Sequence, residues 1–461
     1  MHSDEAVAMQ ANEQRTSNPA NAAIYYFPDS FDTGRQKLMG RHAAGEEFLK
    51  AWARHSDVDP LICYARSQQD LQHFRERTHG LGSKERKTVW VPWQNLDRLA
   101  AAGCLFLPGP GIGPLAYQRR HFDNRALSLC GITHTTASDN VMDALGDMLI
   151  APTQAWDAVI CTSQAVRQMV KAVLVAHGDY LKNRFQLPSA PEAPLQLPVI
   201  PLGVNCDAYA VNSETKANAR AKWRQRLQIT EEHFVVLYVG RLSFHAKAHP
   251  MPVYRGLEAA ARQSGKPACL LMSGWFANDA IKKEFIETAR TFAPSVTTIF
   301  LDGRKKEVRE SIWFAADIFT SLSDNVQETF GLTPVEAMAA GLPAVITDWD
   351  GYRETVRHGI DGFLVPTWMA ALGSASDLAL LNAMGAITYD QYIGYHSQYT
   401  SVDVDACSQA YVRLIEDREL RLKMSDAARQ RARDTLESIK KCGANRPDQV
   451  LDRVDAAGTF R

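Results

Sequence analysis

Short apolar runs alternate with longer amphipathic stretches along most of the chain. From residue 23 onward, AIYYF (23–27), PLICYA (60–65), TVWVPW (88–93), CLFLPG (104–109), LSLCGITH (127–134) and DAVICTS (157–163) have the length and composition of strands. Between them, AAGEEFLKAWARH and SQAVRQMVKAVLVAHG have the pattern of amphipathic helices. The strand runs are continuously apolar rather than alternating, so both faces of the sheet must be covered. That predicts a parallel sheet between layers of helices. The proline-rich LPSAPEAPLQLP (187–198) breaks the pattern and reads as a loop, after which VIPLGVN reads as a last strand and turn.

A second series follows in FVVLYVG (234–240), ACLLMSG (268–274), TTIFLDG (297–303), DIFTSLS (317–323) and PAVITDW (343–349). Two α/β domains in tandem are therefore expected. The first spans 23–205 and the second 206–435, preceded by a polar, disordered leader at 1–22. The basic KANARAKWRQRL between the two series reads as a helix with a solvated charged face. Residues 366–402 are irregular and aromatic-rich, as an insertion would be, and long helices follow before a tail, 436–461, expected to pack back on the first domain.

The chain of 461 residues is 46% hydrophobic and 22% charged, enough for large cores. A net charge of −1 gives no field that would draw the whole protein to nucleic acid. Its eight cysteines are scattered without a C-x-x-C pair and read as buried thiols in a reducing, cytoplasmic setting. No apolar run approaches the ~18 residues that span a bilayer. Peripheral contact at the inner face of a membrane stays open.

Ligands of doubly wound sheets sit beyond the carboxyl ends of the strands. There the first strand of the second series leads into Gly240, Arg241 and then Lys247, and the third into Asp302, Gly303 and Arg304. The fourth leads into SDNVQETFGLTP. Arg241 can grip two oxygens at once and Lys247 acts as a point charge, which suits a diphosphate. Taken alone, both read better as solvent-exposed loop charges. Thr333-Pro334-Val335-Glu336 fits a helix start with Thr333 at N-cap, Pro334 at N1 and Glu336 at N3, so Glu336 can be read as half of a capping box. Glu328 lies before the helix, where capping cannot explain it. Gly331 leaves the backbone free to approach a ligand, and the helix N-terminus favours an anion. Carboxylates suit hydroxyls rather than phosphates. Cations for a diphosphate beside carboxylates for a sugar and a ribose ask for a nucleotide-sugar.

Gly240-Arg241-Leu242 followed by Lys247, the E-x7-E spacing of Glu328 and Glu336, EAMAAGLP and DGYRETVRHGIDGFLV (350–365) occur in that order. Together they resemble the retaining GT-B glycosyltransferases of family 4, the glycosyl transferases group 1, over roughly residues 199–366. The Arg241-to-Lys247 interval is one residue longer than the commonest form, and SDNVQE is also longer than usual. The resemblance implies an α/β GT-B fold, with two Rossmann-like doubly wound parallel-sheet domains facing a central cleft. It implies transfer of a hexose from a UDP- or GDP-sugar to a hydroxyl, with retention of configuration and with no metal or other cofactor. Arg241 and Lys247 would hold the diphosphate, Glu336 the ribose and Glu328 the hexose. The backbone of Thr329, Phe330, Gly331 and Leu332 would surround sugar and phosphate, and Gly303 with Arg304 would meet the base. In the first domain it implies a glycine loop near the phosphates. Of Gly34, Gly40 and Gly45, Gly40 stands best placed, with Arg41 beside it. His134, at a strand end, is either a satisfied structural residue or one that positions the hexose. Asn205 is a weaker candidate. The acceptor would be a sugar, a lipid-linked molecule or a small molecule, docked mainly on the first domain. The oligomeric state is not legible.

A dehydrogenase is disfavoured, because PGPGIGP (108–114) puts Pro114 where the third glycine of a dinucleotide fingerprint belongs. A P-loop NTPase is excluded by the lack of G-x-x-x-x-G-K-[ST]. A GT-B epimerase and a nucleotide-sugar-binding protein without transferase activity stay as alternatives.

Overall fold

A computed structural model describes residues 21–34, 40–56, 58–81, 86–371 and 373–444, with side chains up to 434. Most of the expected leader and tail therefore lies outside the described residues. Two six-stranded, wholly parallel sheets form the framework. The first contains β1 (Asn21–Tyr26), β2 (Leu61–Ala65), β3 (Thr88–Pro92), β4 (Gly103–Phe106), β5 (Ser128–Ile132) and β6 (Ala158–Ile160), in the order β3-β2-β1-β4-β5-β6. The second contains β7 (Phe234–Val239), β8 (Ala268–Gly274), β9 (Thr297–Asp302), β10 (Ile318–Ser321), β11 (Ala344–Thr347) and β12 (Gly362–Val365), in the order β12-β11-β10-β7-β8-β9.

The continuous apolar runs are explained by position. Every residue of β8, β10 and β11 is buried, with helices on both faces. The edge strands β3 and β9 are only partly covered, and Pro92, which has no N–H to donate, sits on the β3 edge. The strand expected in VIPLGVN does not form. Gln196 and Val199 make only isolated parallel bridges to Ala158 and Cys161, and Pro198, between them, has no N–H to continue the ladder. Conversely β12 forms in GFLV, which the sequence pattern left inside a motif.

The helix at Ser213–Arg226 corrects another expectation. Lys222 and Arg226 are solvated, but Arg224 is 2% exposed. Its guanidinium donates to Asp317 (3.1 Å) just before β10 and to the Thr230 carbonyl (2.7 Å).

In both sheets, the strand order reverses direction at the centre. The helix after β7 (Met251–Ser264) packs on one face, in the cluster of Val253, Tyr254 and Leu257. The helix after β10 (Leu332–Ala340) packs on the other, through Ala337 and Met338. The two following loops therefore part and leave a crevice at the carboxyl edge. β1 and β4 do the same in the first sheet, with Leu49 and Trp52 on one side and Leu115 and Ala116 on the other.

The sheets are joined edge to edge across this crevice. Thr162 Oγ1 donates to the Thr329 carbonyl, and Thr329 Oγ1 donates to the His134 carbonyl, both at 3.2 Å. The Glu354 carboxylate caps the helix Gln164–Phe185, accepting from the Gln164 N–H at 2.6 Å. A carboxylate belongs at a helix N-terminus, and here it comes from the other domain. The long helix Arg418–Ala444 buries Ala428 and Ala432 in the second domain and reaches the helix Gly40–His55 of the first. No helix among the described residues is long and apolar enough to cross a membrane.

The first sheet holds a fully buried ion pair. Arg119 and Asp157, each 0% exposed, meet through two bonds of 2.6 and 2.8 Å, and Asp157 also accepts the N–H groups of Leu129 and Gln154 at 2.8 Å. Removing one partner of such a pair strands the other charge. Asp157→Ala is expected to cost about 3–5 kcal/mol, seen by calorimetry as a lower first unfolding transition. An unchanged thermogram would show that the pair is not needed.

Candidate functional site

The loop after β7 and the loop after β10 leave neighbouring strands at the point of reversal. Lys247 on the first meets Glu328 on the second in an ion pair whose side chains are 18% and 12% exposed. Tyr352 lies beneath it: its hydroxyl accepts from Lys247 Nζ at 3.3 Å and pairs with Ser321 Oγ at 2.8 Å, with the ammonium 5.5 Å from the ring centroid. Burial works to lower the Lys247 pKa, but Glu328 together with Tyr352 and Tyr238 outweighs it and holds the group above its ordinary value. Lys247 is therefore a fixed cation. The Tyr238 hydroxyl donates to the Arg241 carbonyl (2.9 Å), and Arg241 Nη2 donates to the Ala246 carbonyl (3.0 Å), which closes the loop on itself.

Tyr352 also decides how the next helix begins. Gly331 has φ +103°, and a Cβ there would lie 2.6 Å from the Tyr352 ring. The helix starts directly after it, at Leu332, with Gly331 as N-cap and no side-chain cap. The expected capping box is thus absent. Thr333 falls inside the first turn, where its Oγ1 is buried without a partner. Pro334 still lies in the first turn, where its missing N–H costs no helical bond. The stop at Gly341 is as expected, left-handed at φ +82°. Glu336, freed from the capping role, sits deep in the cleft beside Tyr209 and faces Glu47 on the helix Gly40–His55. Burial, then Glu47, push its carboxyl up to about 7, offset in part by the Tyr209 hydrogen bond.

The flanking residues of the loop are structural in part. Thr329 carries the bridging bonds between sheets, Phe330 packs against Val204 and Val335, and Leu332 opens the helix. His134 lies just beyond β5. Its Nδ1 is buried without a partner, and burial followed by Arg41 lowers its pKa to about 4. It is a neutral imidazole at neutral pH. Gly40 begins its helix in open space, whereas a Cβ on Gly45 would lie 2.0 Å from the Ser30 carbonyl, so Gly45 serves packing. Arg41 pairs with Asp29 at 2.9 Å on the surface.

The loop expected to meet the base lies at the edge strand and packs through Gly274 against Gly240. Gly303 donates its N–H to Gly274 (2.9 Å), and Arg304 folds back on Asp302 (2.9 Å) at the edge strand β9. Asn205 is used locally, accepting from the Asp207 N–H at 3.2 Å.

Several residues at the site went unassigned in the sequence. Tyr352 and Asp350 lie in DGYRE, visible as a motif though not as roles. Asp350 has φ +43°, and burial followed by Glu328 pushes its carboxyl up to about 8. Asp324, buried between the same loops, is raised to about 7 by burial. Tyr209 and Glu47 have no local signal. Among the described residues, no group of three or more His, Cys, Asp or Glu is placed to hold a metal ion.

The family model described as glycosyl transferases group 1 matches residues 219–393. A D-inositol 3-phosphate glycosyltransferase of Nocardia farcinica is 27% identical over 45% of this chain, and one of Rhodococcus erythropolis 27% identical over 46%. The match spans about half the length of these curated relatives, 46% and 48%. Among solved structures, Anabaena HepE, crystallised with UDP and glucose, aligns with a TM-score of 0.57 at 15% identity, covering 95% of this chain and 100% of its own. That likeness extends the two-domain GT-B fold over 95% of the chain.

The raised Glu336 carboxyl has a definite sign. Between its unfolded value near 4.5 and about 7 the folded state holds the extra proton, so stability falls as pH rises through that window. Glu336→Gln removes this loss. The variant should gain of order 1–2 kcal/mol over the wild type at pH 8 and nothing at pH 4.5. Melting curves at both pH values test it, and an equal offset at the two would refute the buried carboxyl.

Proposed function

We propose that this chain, a GT-B protein whose residues 219–393 match the glycosyl transferases group 1 model, transfers a hexose from a nucleotide-sugar to an acceptor hydroxyl. The observation that carries the reading is the Lys247–Glu328 pair at the reversal point of the second sheet, with Arg241 on the same loop. A diphosphate set between Arg241, Lys247 and the N-terminus of the helix Leu332–Ala340 meets two cations and free amides. Glu328, tied to Lys247, is placed for a hydroxyl of the attached sugar, which couples recognition of sugar and phosphate in one contact. Glu336 takes the ribose hydroxyls, and its raised pKa lets it donate as well as accept. His134, neutral, takes a hexose hydroxyl from the first domain.

Chemically the protein's part is electrostatic. Charge develops on the departing diphosphate, where Arg241, Lys247 and the helix N-terminus lie ready. The leaving phosphate then takes the acceptor proton on the same face, which retains configuration, and the two side-chain cations do the work that a metal would otherwise do. The family 4 resemblance supports retention, and the UDP and glucose bound to HepE support a UDP-sugar donor, with a GDP-sugar next. The acceptor, a sugar, a lipid-linked or a small molecule, docks on the first domain in a cytoplasmic enzyme that can work beside a membrane.

Release of UDP or GDP from a panel of nucleotide-sugars, read by a coupled assay, tests this. Lys247→Ala and Glu336→Ala should each lower kcat/KM about 100-fold, ~2.7 kcal/mol, while far-UV dichroism stays native. Unchanged kcat/KM in both variants overturns the site. Tight donor binding without turnover for any acceptor makes the chain a binding protein.

A further inference from the structure

Residues 366–402 leave the second sheet after β12 and return through an antiparallel pair, β13 (Thr367–Met369) with β14 (Thr400–Val402), which frames the helices Ser376–Ala383 and Tyr389–Ser397. The second helix is started by a complete capping box between Thr388 and Gln391, so its first residue, Tyr389, is held in place. Tyr392 and Ile393 pack against Ala246, the residue before Lys247, with Val326 of the Glu328 loop at their side. Gly394 lies so close to this loop that a Cβ would be 2.7 Å from His245 Cβ. On the other side the segment faces the first domain, with Tyr392 within the field of Asp139 and the Tyr389 hydroxyl next to Thr135. The insertion is thus seated on both loops of the site and on the opposing domain.

Two polar atoms meet there, Tyr389 Oη and Thr135 Oγ1, and His134 precedes Thr135 in the chain. Tyr389 Oη, Thr135 Oγ1 and His134 Nδ1 are each buried without a well-aligned hydrogen-bond partner, and the Tyr389 hydroxyl lies close enough to Thr135 for the two side chains to interact. Such a group costs about 1–3 kcal/mol if left unpaired, so three together point to an occupant that pairs with them. Burial pushes the Tyr389 phenol up to about 12, so it keeps its proton and can donate. All three groups are uncharged at neutral pH and suit neutral hydroxyls, while the phosphates are drawn to Arg241 and Lys247. We infer that Tyr389, with Thr135 and His134, binds a hydroxyl of the transferred sugar, which makes the 366–402 insertion a donor-specificity element. This rests on the proposed transferase reading and adds to it a residue outside the Gly240–Lys247, E-x7-E and 350–365 motifs.

Calorimetric titration of wild type and Tyr389→Phe with UDP-glucose and UDP, and with GDP-mannose and GDP, separates the two levels. The variant keeps the ring and its packing and loses only the hydroxyl. It should bind the nucleotide-sugar about 10-fold more weakly and the matching nucleoside diphosphate unchanged, and Thr135→Val should do the same. Unchanged nucleotide-sugar affinity in Tyr389→Phe, as when water alone fills the space, overturns the inference. So does an equal loss for sugar and diphosphate, which marks a structural role. A wild type that binds the diphosphates and sugars of neither series overturns the transferase reading, and this inference falls with it.

Discussion

The ion pair of Lys247 and Glu328 holds together two loops that the sheet's topology drives apart. The connections after β7 and β10 leave on opposite faces, and the pair joins them across the gap together with Asn325, which donates to the His245 carbonyl at 2.8 Å, and Ser323, which donates to the Lys247 carbonyl at 3.1 Å. Tyr352 braces the pair from below and at the same time requires glycine at position 331. The start of the helix Leu332–Ala340, the approach of its amides to the crevice and the depth of Glu336 all follow from that one packed ring. In the proposed reading, a diphosphate at Lys247 would share the ammonium with Glu328, so one charge pair would sense both sugar and leaving group.

Burial sets the electrostatics around this pair. Glu336, Asp324 and Asp350 are all raised toward neutral pH with desolvation as the main cause. His134 is lowered for the same reason. The cleft therefore keeps Lys247 charged while Glu336, Asp324, Asp350 and His134 lean to their neutral forms. Such a surface favours an anion and a set of hydroxyls together.

The two sheets meet through few but specific bonds, Thr329 to His134, Thr162 to Thr329 and Glu354 to the helix Gln164–Phe185. Thr329 sits one residue from Glu328, and His134 carries the orphaned imidazole nitrogen, so the contacts that join the domains also align the two halves of the site. The segment 366–402 adds a third support by packing on Ala246 and reaching Thr135.

Local pattern by itself determined the order of the strands, their parallel burial and the cations and carboxylates at their carboxyl ends, because apolar runs and chain order report burial directly. It also exposed the E-x7-E frame of Glu328 and Glu336. Only the tertiary structure decided what those residues do locally. The capping box that Thr333 and Glu336 could form was displaced when Tyr352, some twenty residues downstream, fixed Gly331 in a left-handed turn. Arg224 left its solvated face for Asp317. Tyr389 came to stand beside Thr135, far off in the chain. Each depends on a partner distant in sequence, and periodicity carries no information about which distant side chain will fill a given space.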